Sequence, residues 1–498
     1  MIANFVAFAI QFGINFLFTP YLIRTIGKEA YSFFPLANSF ISYAGILTIA
    51  LNSMASRFIT IKLEQNDNEG ARIYLTSLMY GNTFMAIALT IPSVLMVVFM
   101  DKILNIPPSI LYDVQWLFAL VLLGMILNIL FGMYEVATYA KNKLYLSSIR
   151  NAESNILRVV LLVGLFFTFK PSVSYIGIAN LAVVVFIIIT NIKYTKLLLP
   201  SIQFNNQYFR LSAIKELLRS GVWNSINRLS NVLKTSVDLL IANIFLGASL
   251  TGELALAKTL PMFIYSLVIT MVTVFSPEFT ILFAQNKSEE LKSSIKGSLK
   301  FMSTLMTIPL GFLMVMGEEF FTLWIPGQNA HLLYILSGLT LIPLVISTSI
   351  EPLFHVFTVT NKLKIPSIFF MISGIINVVA ILVLLKFTSM GVLAIPIVGL
   401  VMAIMQHLFF TPIFAAKVLH IKWNTFYFSI FRGIFNCLLI MGLTLILKEY
   451  VYHRNWISFL TIGILGSTIA LAINLLLFFS KQEVVDFLTR IKIIKTNN

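Results

Sequence analysis

The chain has 498 residues, 58% of them hydrophobic and 11% charged, with a mean hydropathy of +0.91. No water-soluble fold of that length covers so much apolar side chain, which excludes a soluble enzyme or binding module and leaves a polytopic membrane protein. The net charge of +15 would suit nucleic acid, but the basic residues lie in loops between apolar stretches. There the positive-inside rule and an anionic inner leaflet account for them, and no nucleic acid is expected. Cys437, the sole cysteine, sits in an apolar run, so neither an intramolecular disulfide nor a cysteine metal cluster is expected.

At about 20 residues per crossing, the hydropathy pattern predicts an all-α polytopic protein of about 14 transmembrane helices. The first span, Ile2–Ile23, is long enough to cross and is read as a span, not a cleaved leader. Arg24–Ala30 joins it to a second, near 31–61. Spans near 73–100 and 114–139 are joined by Asp101–Asp113, with Ile106-Pro107-Pro108 as the turn. Spans near 148–169 and 174–195 close an N-terminal six-helix lobe, 1–195. A linker, 196–220, carries Lys196, Arg210, Lys215 and Arg219 and is expected to lie along the cytoplasmic surface. A C-terminal six-helix lobe, 221–414, holds spans near 221–247, 253–281, 297–316, 331–360, 367–386 and 391–414. The last stretch, 415–498, adds two helices near 426–447 and 456–479 and a basic tail.

The two lobes are expected because the chain repeats itself. At an offset of 220, Gly27–Glu69 meets Gly247–Glu289 with 11 identities in 43 ungapped positions, among them the glycines and Gln65-Asn66 against Gln285-Asn286. Roughly three or four would arise by chance in so apolar a chain. Loops after even-numbered spans, together with the tail, hold 22 Lys and Arg, including Arg150; the odd-numbered loops hold 7. Both termini are therefore expected on the cytoplasmic side. An even number of spans separates the copies, which predicts a parallel repeat about an axis along the membrane normal.

Charge at membrane depth is costly and marks a wet cavity or a partner. Six cations fall within spans: Arg57, Arg158, Arg228, Lys234, Lys258 and Arg432. In span seven, Asn224, Asn227, Asn231, Lys234 and Asp238 recur every three or four residues, with Arg228 beside them, as one face of a helix. Span one offers Asn4, Gln11 and Asn15, and span two Asn38 and Asn52. A central cavity between lobes would use these faces. The structural alternatives are an i,i+4 pair between Lys234 and Asp238, and snorkelling of Arg228, Lys258 or Arg57 to an edge. Arg158, following Asn151 and Asn155, is open between the same two roles; Arg432 is expected at an edge. Among the acids, Glu135 shares a face with Asn128 and Gly132, and Glu351 is spaced i,i+4 from His355 beside Pro352. With Asp238, these are candidates for proton or ion coupling, or for pairing with the cations. His407 is expected to be a satisfied core histidine.

No G-x-x-x-x-G-K-[ST], H-E-x-x-H or G-x-S-x-G occurs, so neither phosphate-loop ATP hydrolysis nor those hydrolytic chemistries are expected. Outer loops of at most roughly 15 residues argue against a membrane glycosyltransferase or polymerase. Prolines at 35, 261, 277, 309, 343, 352, 396 and 412 fall in or beside spans, where kinks would serve motion.

The block TPYLIRTIGKEAYSFFPLANSFISYAGILTIALNSMASRFITI, Thr19–Ile61, resembles the N-terminal signature of bacterial polysaccharide repeat-unit flippases. These are Wzx-type members of the multidrug/oligosaccharidyl-lipid/polysaccharide exporter superfamily. The resemblance continues through Ile106-Pro107, Asn142 and Ser147–Arg150, and the span count fits across the chain. It implies alternating access by two six-helix lobes, with two added helices, in the bacterial cytoplasmic membrane. The implied cargo is an undecaprenyl-pyrophosphate-linked oligosaccharide moved to the outer leaflet, for export of O-antigen or capsule. The implied partners are membrane lipids and the polymerase and glycosyltransferase machinery. No cofactor is implied beyond a proton or sodium gradient. Related lipid II flippases concentrate arginines on spans one, two and eight; here span one has no cation before Arg24, and span eight carries Lys258. A cation-coupled multidrug or metabolite antiporter of the same superfamily is the alternative, though one for cationic drugs would more naturally line its cavity with acids than with cations.

Overall fold

The computed structural model describes residues 2–141, 143–200 and 204–479. Asn142, the tail from Lys481, and the side chains of Asn4, Gln11 and Asn15 lie outside that description. Every regular element among the described residues is a helix. In chain order they are α1 (Ile2–Glu64), α2 (Asn68–Val98), α3 (Met100–Ile103), α4 (Leu111–Phe131), α5 (Val136–Ala140), α6 (Leu144–Thr168) and α7 (Ser174–Leu198). There follow α8 (Leu211–Thr235), α9 (Val237–Val272), α10 (Ser276–Ala284), α11 (Ser288–Leu305), α12 (Thr307–Trp324) and α13 (Ala330–Ile350). The last six are α14 (Leu353–Val359), α15 (Lys364–Phe387), α16 (Ala394–Ile404), α17 (Thr411–Val418), α18 (Tyr427–Val451) and α19 (Trp456–Phe478).

Twelve apolar helical stretches among them are long enough to cross a membrane. Two are double-length: Phe12–Glu64, with 53 residues, and Leu211–Phe283, with 73. Each contains one glycine in a conformation no helix accommodates, Gly27 (φ 84, ψ 157) and Gly247 (φ 85, ψ 174). Positive φ at these sites suits glycine, whose missing Cβ removes the clash. A straight α1 would be about 95 Å long, three times the hydrocarbon core. Instead the Tyr31 side chain lies within interaction reach of Thr19, twelve residues back across Gly27, so the chain doubles back there. Counting each double stretch as a pair gives the expected 14 crossings.

The repeat is visible in the backbone. Asn66 and Asn286 both take φ 57. Asp67 N–H donates to Lys62 O at 2.9 Å, and Lys287 N–H to Leu282 O at 3.0 Å. The flanking bonds Gln65 to Ile61 and Gln285 to Ile281 also match. Both copies thus end their second crossing with the same left-handed asparagine cap, a Schellman-type closure.

The chain separates into two compact units, Met1–Ala255 with Ser367–Ile395, and Leu256–Pro366 with Pro396–Asn498. In the first, α8 lies along the second half of α1. Ser225 Oγ donates to Ile46 O at 2.9 Å, Asn224 Nδ2 to Ser53 Oγ at 3.0 Å, and Tyr43 Oη to Ser236 O at 2.9 Å. The last bond satisfies a carbonyl at the α8–α9 junction, where regular helix bonding lapses. Gly221 is the closest approach: a Cβ there would lie 1.9 Å from Ala50 O. Helix α8 begins at Leu211, so Lys215 and Arg219 ride on the same helix as the polar stripe of span seven. Ala213 and Leu217 are buried in an apolar cluster with Leu51, Leu75 and Val136.

In the second unit, α18 and α19 are tied to α11 and α12 by amides. Asn436 Nδ2 donates to Thr304 O at 2.6 Å and to Thr307 Oγ1 at 2.7 Å, while Asn436 Oδ1 accepts from Asn474. Both asparagines are 0% exposed. Small residues let the helices approach: a Cβ on Gly433 would meet Ser349 Oγ at 2.0 Å, and one on Gly311 would meet Cys437 O at 2.7 Å. Close packing with interhelical hydrogen bonds replaces the hydrophobic drive that lipid removes.

Candidate functional site

The first unit carries a polar track built where helices break. Between α4 and α5 the chain tightens to a 3₁₀ turn, Gly132–Glu135, and Thr195 Oγ1 donates to Tyr134 O at 2.9 Å, satisfying a carbonyl within it. That turn aims Glu135 at Arg150 on α6: Arg150 Nη2 lies 3.4 Å from Glu135 Oε1, and Nη1 donates to Asn191 Oδ1 on α7. Arg150 is 2% exposed, whereas the Glu135 side chain keeps 64% of its accessible surface. This corrects the sequence reading of Arg150 as a loop charge. It follows α6's first turn and points into the bundle. The signal available beforehand was Glu135 on a face with Asn128 and Gly132, both of which line the same cavity of about 160 Å³. A side chain at Gly132 would also touch Asn52 and Asn82, at 3.9 Å. Those two amides pair reciprocally at 3.1 Å, and Asn52 Nδ2 further donates to Thr48 O.

The other expected residues of this unit are spread over several faces. Arg228 packs its guanidinium over Gly45, whose added Cβ would lie 3.7 Å from Nε. Lys234 sits 4.9 Å from the Phe370 ring of α15, and Asn231 is exposed. The stripe of span seven is therefore split between α1, α15 and open surface. Asp238 is buried, within electrostatic reach of Tyr43. Asn38 is half-buried and Arg57 exposed. Arg158 buries an Nε that has no hydrogen-bond acceptor among the described residues. Neither Arg57, Arg158 nor Arg228 has a carboxylate partner among them.

At one end of this unit the two glycine kinks are held beside each other. Lys28 Nζ meets Glu253 Oε1 at 2.6 Å. Asn105 Nδ2 donates to Asn243 O at 2.8 Å and to Ile244 O at 2.9 Å, while Asn105 N–H donates to Asn243 Oδ1. Asn105 stands just before the expected Ile106-Pro107-Pro108 turn, where Pro108 opens a short 3₁₀ turn.

In the second unit Lys258 is half-buried on α9. Glu351 is 7% exposed at the α13–α14 break, within electrostatic reach of Tyr265. The i,i+4 alignment of Glu351 with His355 is not realised as a bond. Around Pro352 the backbone bonds run i to i+3, Phe354 to Glu351 and His355 to Pro352, which rotates His355 off that face. His407 lies in a π-helical turn, Met405–Phe410, edge-on to Phe354 at 6.1 Å. Arg432, expected at an edge, is 6% exposed, with its guanidinium 4.9 Å from Phe428 and 5.2 Å from Phe478.

Residues 1–283 match the family of polysaccharide biosynthesis proteins. The uncharacterized membrane protein EpsK of Bacillus subtilis (strain 168) is 27% identical over 484 residues, 97% of this chain and 95% of its own. Among solved structures, lipid II flippase MurJ in an inward closed conformation superposes with a TM-score of 0.72 at 15% identity, over 95% of this chain and 98% of its own. An inward-facing multidrug resistance MATE family transporter gives 0.61 at 14% identity, over 83% and 94%. The chain therefore belongs to the polysaccharide biosynthesis protein family and has the helical membrane fold of the multidrug/oligosaccharidyl-lipid/polysaccharide exporter superfamily.

Proposed function

We propose that this protein is a flippase. It carries undecaprenyl-pyrophosphate-linked oligosaccharide repeat units from the cytoplasmic to the outer leaflet of the bacterial cytoplasmic membrane, by alternating access, for cell-surface polysaccharide biosynthesis. One conjunction carries this reading: a polysaccharide-biosynthesis sequence on an exporter fold, matched over 95% of the chain by a lipid II flippase and over 83% by a multidrug transporter. A family that makes polysaccharide and is built to transport has a glycan intermediate as its natural cargo.

The cations agree with that cargo. Arg57, Arg158 and Arg228 lack carboxylate partners among the described residues, and a pyrophosphate would take guanidinium forks as its counter-charge. Within the first unit Lys234 is a further candidate cation, and Asn38, Asn52 and Asn231 are candidate amides for the glycan; Lys258 is the candidate cation of the second unit. Asp238, Glu135, Glu351 and His355 are the candidates for coupling to a proton or sodium gradient. With both termini cytoplasmic, the Lys28–Glu253 and Asn105–Asn243 contacts form the outer closure, set beside the Gly27 and Gly247 hinges.

The test places purified protein in liposomes with a labelled polyprenyl-pyrophosphate oligosaccharide. Outer-leaflet accessibility is followed with and without proton and sodium gradients, for wild type and for Arg228→Ala with Lys258→Ala. Movement that the double variant loses is expected. No movement of any lipid-linked glycan, together with efflux of a cationic dye, would hand the case to a multidrug antiporter.

A further inference from the structure

We propose that the cavity beside Arg150 is a binding subsite for a single neutral sugar ring, the pyranose of a lipid-linked glycan; this rests on the flippase proposed above. At about 160 Å³ the cavity has room for one ring or a handful of waters, and not for an oligosaccharide. Its wall combines Arg150, Glu135, three amides (Asn128, Asn151 and Asn191) and the Phe131 ring.

Three observations select the ligand. The two charges cancel, so an anion meets Glu135 and a cation meets Arg150, while a neutral polyol meets neither penalty. Donors and acceptors are left over. Arg150 is fixed through both Nη atoms, yet its buried Nε–H has no acceptor, and the Asn128 and Asn151 side chains make no hydrogen bond among the described residues. An amide offers an acceptor and two donors on one plane, which matches a hydroxyl that both gives and takes. Phe131 supplies the apolar face on which the C–H side of a pyranose rests. An ion pair that served packing alone would have no use for open amides around a cavity. Hydrocarbon filling the space would leave the Arg150 Nε–H and the Asn128 and Asn151 amides unsatisfied.

The experiment measures binding to the full-length protein in nanodiscs. The probes are undecaprenyl pyrophosphate alone and the same lipid bearing glucose, N-acetylglucosamine or glucuronic acid; free glucose and N-acetylglucosamine form a second arm. At least one neutral sugar is expected to tighten lipid binding about tenfold, the worth of one or two hydrogen bonds, with glucuronic acid gaining less. Asn128→Ala with Asn151→Ala should erase the gain and leave the sugarless lipid unchanged. Glu135→Gln, which keeps the shape and removes the negative charge, should raise the uronate toward the neutral sugars. Free sugar binding that the double variant loses would also support the subsite. A wild type that binds the sugarless lipid with no gain from any neutral sugar overturns the subsite and leaves the flippase standing. A folded double variant that keeps the gain overturns it as well. Binding of none of the lipids overturns the flippase, and the subsite with it.

Discussion

Two polar clusters, one in each unit, both contain buried asparagines and come out different in character. Around Asn436 and Asn474 the amides are 0% exposed and knit α18 and α19 to α11 and α12, and Asn474 Oδ1 is itself left without a donor among the described residues. Around Arg150 the guanidinium is as deeply buried, but its carboxylate partner is open, its Nε–H has no acceptor, and a cavity adjoins it. An unsatisfied atom alone therefore does not separate glue from site inside a membrane, since each cluster has one. Access separates them: the Arg150 cluster opens on a cavity through an exposed carboxylate, whereas both amides of the other cluster are sealed among helices.

Breaking each cluster in turn should expose that difference. The largest effect is expected from Glu135→Leu, which strands the Arg150 cation in the bundle. Loss of one member of a fully buried pair costs about 3–5 kcal/mol and of an exposed pair under about 1 kcal/mol; with a buried guanidinium and an open carboxylate the expected cost is about 2 kcal/mol. Unfolding in mixed detergent micelles would measure it, and Arg150→Met added to Glu135→Leu should recover most of the loss. A double variant as unstable as the single one would mean the pair is not coupled. Next in size is Asn436→Leu, about 1 kcal/mol by the same assay, as for other interhelical hydrogen bonds in membranes. No change in lipid binding should accompany it; a change there would erase the distinction between the clusters.

The smallest effect lies outside both clusters, at the cap that the two repeats share. In the first copy Asp67 accepts from Lys62 Nζ at 2.9 Å and from Gly70 N–H at 2.8 Å. The Lys62 hydrogen bond, then the Gly70 one, holds its carboxyl below the ordinary carboxylate value. A lowered folded-state pKa stabilises above the unfolded value, and that contribution disappears as pH falls through the folded one. Wild type should therefore exceed Asp67→Asn in melting temperature near neutrality and converge with it in acid, below about pH 4. A gap that persists into acid would show that the cap works without the charge. The second copy has Lys287 at the matching position and lacks this bond; there Glu289, held low by its hydrogen bond from Lys292, takes over the dependence, with the same sign.

Much of the architecture was legible because it depends on local rules. Hydropathy fixes how many times the chain crosses. The 220-residue offset picked out Gly27 and Gly247, and Asn66 and Asn286, as equivalent, because positive φ falls to glycine and asparagine whatever surrounds them. Glu135 stood out on a face with Asn128 and Gly132, both of which line its cavity.

Only tertiary structure could decide what lay beyond one helix turn. Arg150 looked like one more cytoplasmic charge, since sequence does not say that α4 breaks at Gly132 and turns a carboxylate toward it. The stripe of span seven looked like one cavity wall. Packing against Gly45 and Phe370 divides it, because the neighbours of a helical face come from segments far away in the chain. Glu351 and His355 looked paired until the i+3 bonds around Pro352 rotated them apart. Crossings, caps and hinges were thus set by backbone stereochemistry and the thickness of the bilayer. Which charges meet, and which keep a free donor, was set by how the helices pack.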